Sequence, residues 1–352
     1  MRLTRSLCLL LLALTLAVPA FAVPGATDRV PGASLLVPFF ETGINSGTHP
    51  HDTLLVVTNW RTDNRMFHYH VWDIDGVPTG LSGNITLGSL GSWSVAMRDL
   101  LGVSSAAVRT QLTEGPFYRG FVTIDAVTSA TAMAPTEASF PFADTNVFEG
   151  FIYYTRLSQG SANGMSMIAL ETVPATANNL VRGFYQGGDL REEIDPSGRR
   201  CAKLLATGGT CGVAGIAAPL ARMHMRVFRS VPLNGSSRAV AFTWVPGLAG
   251  GPSVFCDVPA NSCSPNLTYR QYDEAGNFLV NGTIRLDHVV NVIEDASLVG
   301  TSAGWISIFS IPNILQEMQV YGFSFNSANP AGNPNLTWDA IFEAYIATDD
   351  AI

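Results

Sequence analysis

The sequence predicts an all-β chain of two tandem, homologous, antiparallel β-sandwich domains with a few short helices. Three observations carry this prediction. Runs of four to six β-branched or aromatic residues alternate with Gly, Asn, Asp and Pro, helical periodicity is scarce, and an internal repeat keeps one order along the chain. In the first half the predicted strands are residues 54–58, 67–72, 84–87, 93–97 and 121–124.

The repeat is clearest where residues 67–76 align without gaps on residues 267–276. Four further matches follow the same order: 53–58 with 238–243, 83–87 with 282–286, 120–124 with 304–308, and 167–171 with 339–343. Because the whole series is kept, each unit is predicted to be a complete domain, one over residues 31–175 and the other over residues 221–352.

Turn and helix signals complete the coarse layout. Residues 73–76 and 273–277 have the Asp and Gly content of hairpin turns that join one strand to the next. Residues 104–112 and 313–320 are predicted to form short helices, with Ser104 and Asn313 as N-caps. Between the units, residues 176–220 are rich in Gly, Ala and Arg and are predicted to be a linker or an insertion into the second domain.

The N-terminus has the pattern of an export signal. Arg2 and Arg5 precede an apolar run over residues 6–18, and Ala20-Phe21-Ala22 places small residues where signal peptidase reads them. Cleavage is expected after Ala22, followed by a short segment of residues 23–30, and the protein is expected to be secreted or periplasmic. No second apolar stretch reaches membrane-spanning length, so no span is expected in the mature chain.

The charge balance bears on the class of partner. The full chain has 20 basic and 28 acidic residues, and loss of Arg2 and Arg5 with the signal makes the balance more acidic. The sequence contains no basic stripe, which argues against nucleic acid as a partner.

Cysteine usage predicts disulfides. Of the five cysteines, Cys8 lies in the signal, which leaves Cys201, Cys211, Cys256 and Cys263. An even number in an exported protein indicates disulfides, whereas spacings of nine and six residues are not those of a zinc knuckle. The pairs Cys201–Cys211 and Cys256–Cys263 are predicted because short loops close readily.

Four of the six histidines cluster as two pairs, His49 with His51 and His68 with His70. Residues two apart on a strand share a face, so His68 and His70 are predicted to point the same way. If His49 and His51 fold beside them, the imidazoles would form a zinc or copper site in the first domain. The second unit has Thr268 and Arg270 at the equivalent places, which favours the other expectation, that the pairs face solvent and lie apart.

Catalytic motifs are not evident: the chain has neither a Gly-x-Ser-x-Gly elbow nor a His-Glu-x-x-His helix. Trp72 and Trp305 align with Tyr272 and Phe121, which indicates packing positions, whereas Trp60 and Trp244 follow strands and are the better candidates for exposure. The sequence therefore favours an exported, non-enzymatic structural or interaction protein with a protein or cell-surface partner and no cofactor. One alternative is a metal- or carbohydrate-binding protein using the first domain, and another is a secreted hydrolase without a recognisable motif.

A strand that ends in Val57-Thr58-Asn59, followed by a hairpin strand and a Gly-containing turn, gives the chain a family resemblance. It resembles uncharacterised secreted bacterial proteins with immunoglobulin-like β-sandwich repeats. The resemblance covers each repeat and implies an immunoglobulin-like fold, but it implies no activity and no residue roles.

Overall fold

A computed structural model describes residues 31–137, 139–156, 161–170, 190–194, 200–204, 221–227, 236–244, 266–273, 275–285, 288–293, 304–309, 319–328, 338–343 and 345–348. Within these ranges the chain is all-β, with antiparallel strand pairs and two short helices. None of the helices in this described part is long and apolar enough to cross a membrane. The predicted signal peptide lies outside the described residues.

The first unit, residues 31–170, forms two sheets. Its elements are β1 (Ser34–Gly43), β2 (His51–Asn59), β3 (Arg65–Trp72), β4 (Pro78–Leu87), β5 (Ser92–Ala96), α1 (Met97–Gly102), α2 (Ala106–Gln111), β6 (Thr113–Glu114), β7 (Phe117–Val127), β8 (Phe148–Arg156), β9 (Ser161–Ser166) and β10 (Ile168–Leu170). A six-stranded sheet has the order β10-β1-β7-β3-β4, with β6 paired to β7, and a four-stranded sheet has the order β5-β2-β8-β9.

The second unit, residues 221–348, also forms two sheets. Its strands are β13 (Ala221–Val227), β14 (Ser236–Trp244), β15 (Asn266–Asp273), β16 (Phe278–Arg285), β17 (Val290–Ile293), β18 (Gly304–Phe309), β19 (Gln319–Ala328), β20 (Trp338–Glu343) and β21 (Tyr345–Thr348). Five strands have the order β16-β15-β18-β13-β21 and four have the order β17-β14-β19-β20. Between the units, β11 (Leu190–Ile194) and β12 (Arg200–Leu204) form a separate two-stranded antiparallel sheet.

The strand orders of the two units correspond. Read from the opposite edge, β21-β13-β18-β15-β16 follows the same succession along the chain as β10-β1-β7-β3-β4, and β17-β14-β19-β20 follows β5-β2-β8-β9. Residues 67–72 and 267–272, which align in sequence, lie in β3 and β15, and each of these strands pairs with corresponding neighbours on both sides.

An aromatic ring covers a cross-strand glycine at the same place in each unit. Tyr69 lies opposite Gly83, and Tyr269 lies opposite Gly282. A β-carbon on Gly83 would lie 2.7 Å from the Tyr69 Oη, and one on Gly282 would lie 2.6 Å from the Tyr269 Cε1. Glycine therefore makes room for the ring, and the ring covers the backbone that glycine leaves open.

The predicted hairpin turns are present in both units and have the same capping. Asp73 Oδ1 accepts from Val77 N at 2.8 Å, and Asp273 Oδ1 accepts from Asn277 N at 2.8 Å. Gly76 and Gly276 have φ of 77° and 85°, a conformation that glycine adopts without a steric penalty. The hydrogen bonds from Asn277 also lower the pKa of Asp273 below its ordinary value.

Beside each turn two aromatic rings stack across the strands. Trp72 lies 5.7 Å from Phe121 between ring centroids, and Tyr272 lies 5.6 Å from Trp305. Trp72 is buried, and its indole donates to Thr123 Oγ1 at 3.0 Å. The interpretation of Trp72 and Trp305 as packing residues is confirmed.

The core of the first unit lies between its two sheets. Alternate residues of β3 point inward because side chains along a strand alternate between its faces. Phe67 and Val71 from the six-stranded sheet pack in one cluster with Leu55, Val57 and Ile152 from the four-stranded sheet, and all five are fully buried.

The helical predictions need correction. The helix expected over residues 104–112 is α2, and its N-cap is Ser105, whose side chain accepts from Val108 N. Ser104 is not the cap, because its hydroxyl donates to Leu101 O at the end of α1. The strand expected over residues 93–97 ends at Ala96, and Met97 is the first residue of α1. Of the helix expected over residues 313–320, positions 313–318 lie outside the described residues, and Gln319 and Val320 belong to β19.

Within the region predicted to be a linker or an insertion, residues 190–194 and 200–204 form the paired strands β11 and β12. Cys201 lies in β12 opposite Glu193 in the backbone register. Cys211, Cys256 and Cys263 lie outside the described residues, so both predicted disulfides remain predictions.

The Tyr69–Gly83 contact generates a stability prediction. Gly83→Ala is expected to lower the free energy of unfolding by about 1–2 kcal/mol, because Tyr69 is stacked on Trp93 and its ring cannot move aside without loss. Gly102→Ala is the matched control, since nothing lies within 4 Å of a β-carbon there. Urea unfolding of both variants measures the difference, and equal stability of the two would contradict the packing role of Gly83.

Candidate functional site

The two histidine pairs lie in different parts of the first unit. His68 and His70 are on β3 and point away from the core, opposite Asp125 and Thr123 of β7. His51 is the first residue of β2 and His49 precedes the strand, and the rings of both contact Phe117 at the other end of β7. Six residues of strand separate Phe117 from Thr123, or about 20 Å. The four histidines therefore do not form a common site.

The expectation that His68 and His70 face solvent is wrong. They share a face of β3, as predicted, but their residues are only 0% and 3% exposed. A covering segment between β7 and β8, described over residues 128–137 and 139–147, lies on this face: the Phe140 ring lies 5.5 Å from that of His68. On the same strand, the Trp72 ring lies 4.8 Å from that of His70. The alternation of residues along β3 does not predict that another segment of the chain covers this face.

Asn84 of β4 holds the covering segment against His68. Its Nδ2 donates to Thr131 O at 2.7 Å, and Thr131 N donates to its Oδ1 at 3.1 Å. His68 Nδ1 lies 3.2 Å from the same Oδ1. An amide oxygen only accepts, so His68 carries its proton on Nδ1 and presents the lone pair of Nε2.

The environment keeps both imidazoles neutral. Burial lowers the pKa of His68, against the opposing effect of Asn84 and the Met133 carbonyl. Burial, reinforced by the neighbouring His68, lowers the pKa of His70 from 6.5 to about 3. His68 Nε2 and both ring nitrogens of His70 are buried without a hydrogen-bond partner in the part of the chain that the structure describes.

A buried carboxylate lies across from His68. Asp125 is fully buried, and Ser34 Oγ donates to its Oδ1. Neutral imidazole is the form of histidine that binds metal ions. Among the described residues, however, no three His, Cys, Asp or Glu side chains are placed to hold one ion together.

His51 of the other pair contacts a buried ion pair that the sequence did not reveal. The Glu41 side chain of β1 is 3% exposed, and its Oε1 lies 3.0 Å from His51 Nδ1. Arg119 of β7 donates to Glu41 Oε2 from Nη2 at 2.8 Å and from Nε at 2.9 Å. The His51 ring stacks on Phe117 at 5.4 Å, so His51 ties β2 to β1 and β7.

Two turns at one end of the first unit expose large apolar side chains. Trp60 is 53% exposed, as the sequence predicted, and its indole donates to Glu149 Oε2 at 2.7 Å. Leu90 is 61% exposed and has φ of 52°. Leu90 N donates to Arg61 O at 2.9 Å, which brings the two turns together. The side chain of Trp244 lies outside what the structure describes.

The hairpin turn of the first unit contacts the second unit. Val290 N donates to Ile74 O at 3.0 Å, and His288 Nδ1 lies 2.6 Å from Asp75 Oδ1. The strand β9 also lies near β20. A backbone hydrogen bond and a side-chain contact between His288 and Asp75 thus join the turn after β3 to the start of β17.

Burial of His70 generates a pH dependence of stability. The unfolded chain binds a proton near pH 6.5, whereas folded His70 does so only near pH 3. The folded state is therefore favoured above pH 6.5, and its stability falls as pH is lowered, by about 1.4 kcal/mol per pH unit between these values. Urea titrations from pH 7 to pH 4.5 measure the slope.

His70→Phe is the matched variant for that slope. Phenylalanine keeps an aromatic ring beside Trp72 and removes the titrating group, so the loss of stability below pH 6.5 should be shallower by about 1.4 kcal/mol per unit. An identical slope in the variant would show that His70 is not the group that titrates.

The Glu41 cluster generates a second stability prediction. Arg119→Met is expected to cost about 3 kcal/mol, because it removes a partner from a buried carboxylate. Arg65→Met is the control: its partner Asp63 is exposed, and no measurable change is expected. Thermal and urea unfolding distinguish the two, and a neutral Arg119 variant would contradict the structural role of the pair.

Comparison with known proteins identifies no family for this chain. No family model matches the chain, and no curated protein matches it. A lectin from Pleurotus ostreatus in its apo form aligns at 10% identity over 93% of this chain and 82% of its own, with a TM-score of 0.19. The CupB6 tip adhesin from Pseudomonas aeruginosa aligns at 10% identity over 92% of each chain, with a TM-score of 0.11. Similarities this low carry no argument about fold or function.

Proposed function

We propose that this chain is an exported, non-enzymatic interaction protein made of two homologous, immunoglobulin-like β-sandwich domains. The observation that carries the proposal is what the two units have in common. Both build the same two strand orders, place a tyrosine over a cross-strand glycine, and cap the same hairpin turn with an aspartate. These are features of a scaffold, and a rigid scaffold that presents turns is suited to binding a partner.

The candidate metal-binding histidines of the first unit have no histidine counterparts in the second unit. The second unit has Thr268 and Arg270 where the first has His68 and His70, and Arg270 is exposed whereas His70 is buried. In the first unit His51 participates in the Glu41 cluster, and His68 contacts Asn84. The ionisable groups with the clearest contacts therefore have structural roles, which supports an interaction protein over an enzyme.

A ligand-binding function of the first unit is the second candidate. The buried, neutral imidazoles of His68 and His70, which have three ring nitrogens without hydrogen-bond partners in the described residues, would offer one lone pair each to a zinc or copper ion. Trp60, an exposed ring held by Glu149, would favour stacking on a sugar. Elemental analysis of purified protein tests the first: stoichiometric metal that is lost in His68→Ala would replace the interaction proposal with metal binding.

Export is the part of the proposal that the N-terminal sequence supports. Expressed with its leader in a Gram-negative host, the protein is expected in the periplasm or medium with Val23 as its first residue, since signal peptidase reads the small residues Ala20 and Ala22. Intact-mass measurement and N-terminal sequencing of each cell fraction identify the product.

Ala22→Lys is the matched control for export, because a long charged side chain next to the cleavage bond blocks the peptidase. The variant should accumulate uncleaved in the membrane fraction. Full-length, uncleaved wild-type protein in the cytoplasm would contradict the exported location.

A further inference from the structure

The outer face of the four-stranded sheet in the first unit carries large apolar side chains. Leu55 of β2 enters the core, so Leu54 and Val56 on either side of it point to the opposite face. Their partners on β8 are Tyr153 and Phe151, respectively. Residues directly paired across antiparallel strands share a face, so these side chains form two successive rows on the outside of the sheet.

The ring of Tyr153 lies against the backbone of the next strand. Gly164 of β9 is opposite Tyr153, and a β-carbon on Gly164 would lie 2.7 Å from the Tyr153 Cε1. The glycine therefore lets the ring lie along the sheet, with one side on β9 and the other toward solvent, and Tyr153 is 36% exposed. An aromatic ring held in this way is a surface on which a flat ligand can stack.

A second exposed ring lies at one end of the same face. Glu149 precedes Phe151 by two positions on β8 and so shares its face, and Glu149 Oε2 accepts from the Trp60 indole at 2.7 Å. Trp60 is 53% exposed. The strand rises about 13 Å from Glu149 to Tyr153. Trp60, Phe151 and Tyr153 thus form an aromatic row along β8.

The second unit has small residues at the corresponding places of its own four-stranded sheet. The internal alignment matches the two outward β2 residues with Ala239 and Ala241 of β14, whose partners on β19 are Ser324 and Gly322. The same strand order is therefore built without large apolar residues at these positions. Apolar groups that face solvent and that the scaffold does not require indicate a binding surface.

The residues that border the aromatic row favour an uncharged, hydroxyl-rich ligand. Ser94 and Ala96 of β5 extend the two rows on one side, and Gly164 and Ser166 of β9 extend them on the other. None of the described residues in these two rows is charged. Aromatic rings beside small residues and hydroxyls complement a sugar ring, which has an apolar C–H face and a rim of hydroxyl groups.

The size of the face also favours a small ligand over another protein. Neighbouring strands lie about 4.8 Å apart, so four strands over the length from Glu149 to Tyr153 make a face of about 14 by 13 Å. Its area, about 200 Å², is well below the roughly 800 Å² per partner that a stable protein interface buries. A second copy of the chain would not be held by this face alone, whereas a short oligosaccharide would be covered along much of its length.

We propose that the outer face of the four-stranded sheet in the first unit binds an uncharged oligosaccharide, with sugar rings stacked on Tyr153 and Trp60. This inference rests on the proposed interaction function and deepens it, because it names the partner as a carbohydrate and places the contact on one face. The face is open and shallow, so the expected dissociation constant is about 10 µM to 1 mM.

Calorimetric titration of the mature full-length protein tests the proposal, with cello-, laminari-, manno-, xylo- and chitohexaose as probes. At least one of these neutral sugars is expected to bind. Hexagalacturonate is expected not to bind, because Glu149 borders the face and the chain has a formal net charge of −8.

Variants locate the binding on the face. Tyr153→Ala and Trp60→Ala should each weaken binding at least tenfold, whereas Tyr153→Phe keeps the ring and should bind within about threefold of wild type. Phe278→Ala is the matched control, since Phe278 is a 54% exposed aromatic residue of the second unit and its loss should leave binding unchanged. Circular dichroism verifies that every variant is folded.

Three results would overturn the inference: no binding of any neutral hexaose at millimolar concentration, full affinity in Tyr153→Ala, or tighter binding of hexagalacturonate than of the neutral sugars. Sedimentation velocity adds a fourth, because self-association that disappears in Tyr153→Ala would assign the face to a second copy of the chain. A cytoplasmic, uncleaved protein would instead contradict the proposed exported function, so the two failures are distinguishable.

Discussion

The antiparallel pairing of β3 with β7 fixes the face of the sheet on which each side chain of β3 lies. In this register Tyr69 is opposite Ile124 and His68 is opposite Asp125, so odd-numbered residues of β3 enter the core and even-numbered ones point away from it. A slip of one residue would place His68 and His70 in the apolar core and Phe67 and Val71 outside it. The strength of core burial therefore sets the position of the histidines, although they contribute nothing to the core itself.

The outer face of β3 becomes a second, polar interior because the covering segment between β7 and β8 folds over it. Burial there costs solvation, which is the reason that the pKa values of His68 and His70 fall and that the rings are neutral. The cost is offset by a local network in which Asn84 joins His68 to Thr131. At the other end of β7, Arg119 compensates the buried charge of Glu41, and the other carboxylate oxygen of Glu41 lies 3.0 Å from His51 Nδ1. Both pairs of histidines thus contribute to the architecture of the first unit.

The two units share their strand orders but do not make the same contacts. The hairpin turns after β3 and β15 have the same aspartate cap and the same positive φ at glycine, yet the first turn is docked and the second is exposed. Leu90 and Phe278 lie at turns and are large, apolar and exposed, whereas ordinary exposed turns are polar.

The sequence by itself determined the strand-rich class, the hairpin turns at Asp73 and Asp273, the shared face of His68 and His70, and the packing of Trp72. Each of these depends on neighbours within a few residues or on the two-residue period of a strand, and such local rules can be read directly from the chain. The internal alignment likewise placed residues 67–72 and 267–272 in strands with corresponding neighbours, because side-chain patterns that fit one sheet recur in the other.

Only the tertiary structure decided that His68 and His70 are buried, that His49 and His51 lie about 20 Å away from them along the sheet, and that Glu41 needs Arg119. It also decided that the turn at Ile74 meets Val290. These outcomes depend on which segments cover a face and which distant strands become neighbours. Burial by a loop or by another unit leaves no periodic pattern in the sequence of the covered strand, so the local sequence does not predict that burial. It is decided by the free energy of burying remote surfaces against each other.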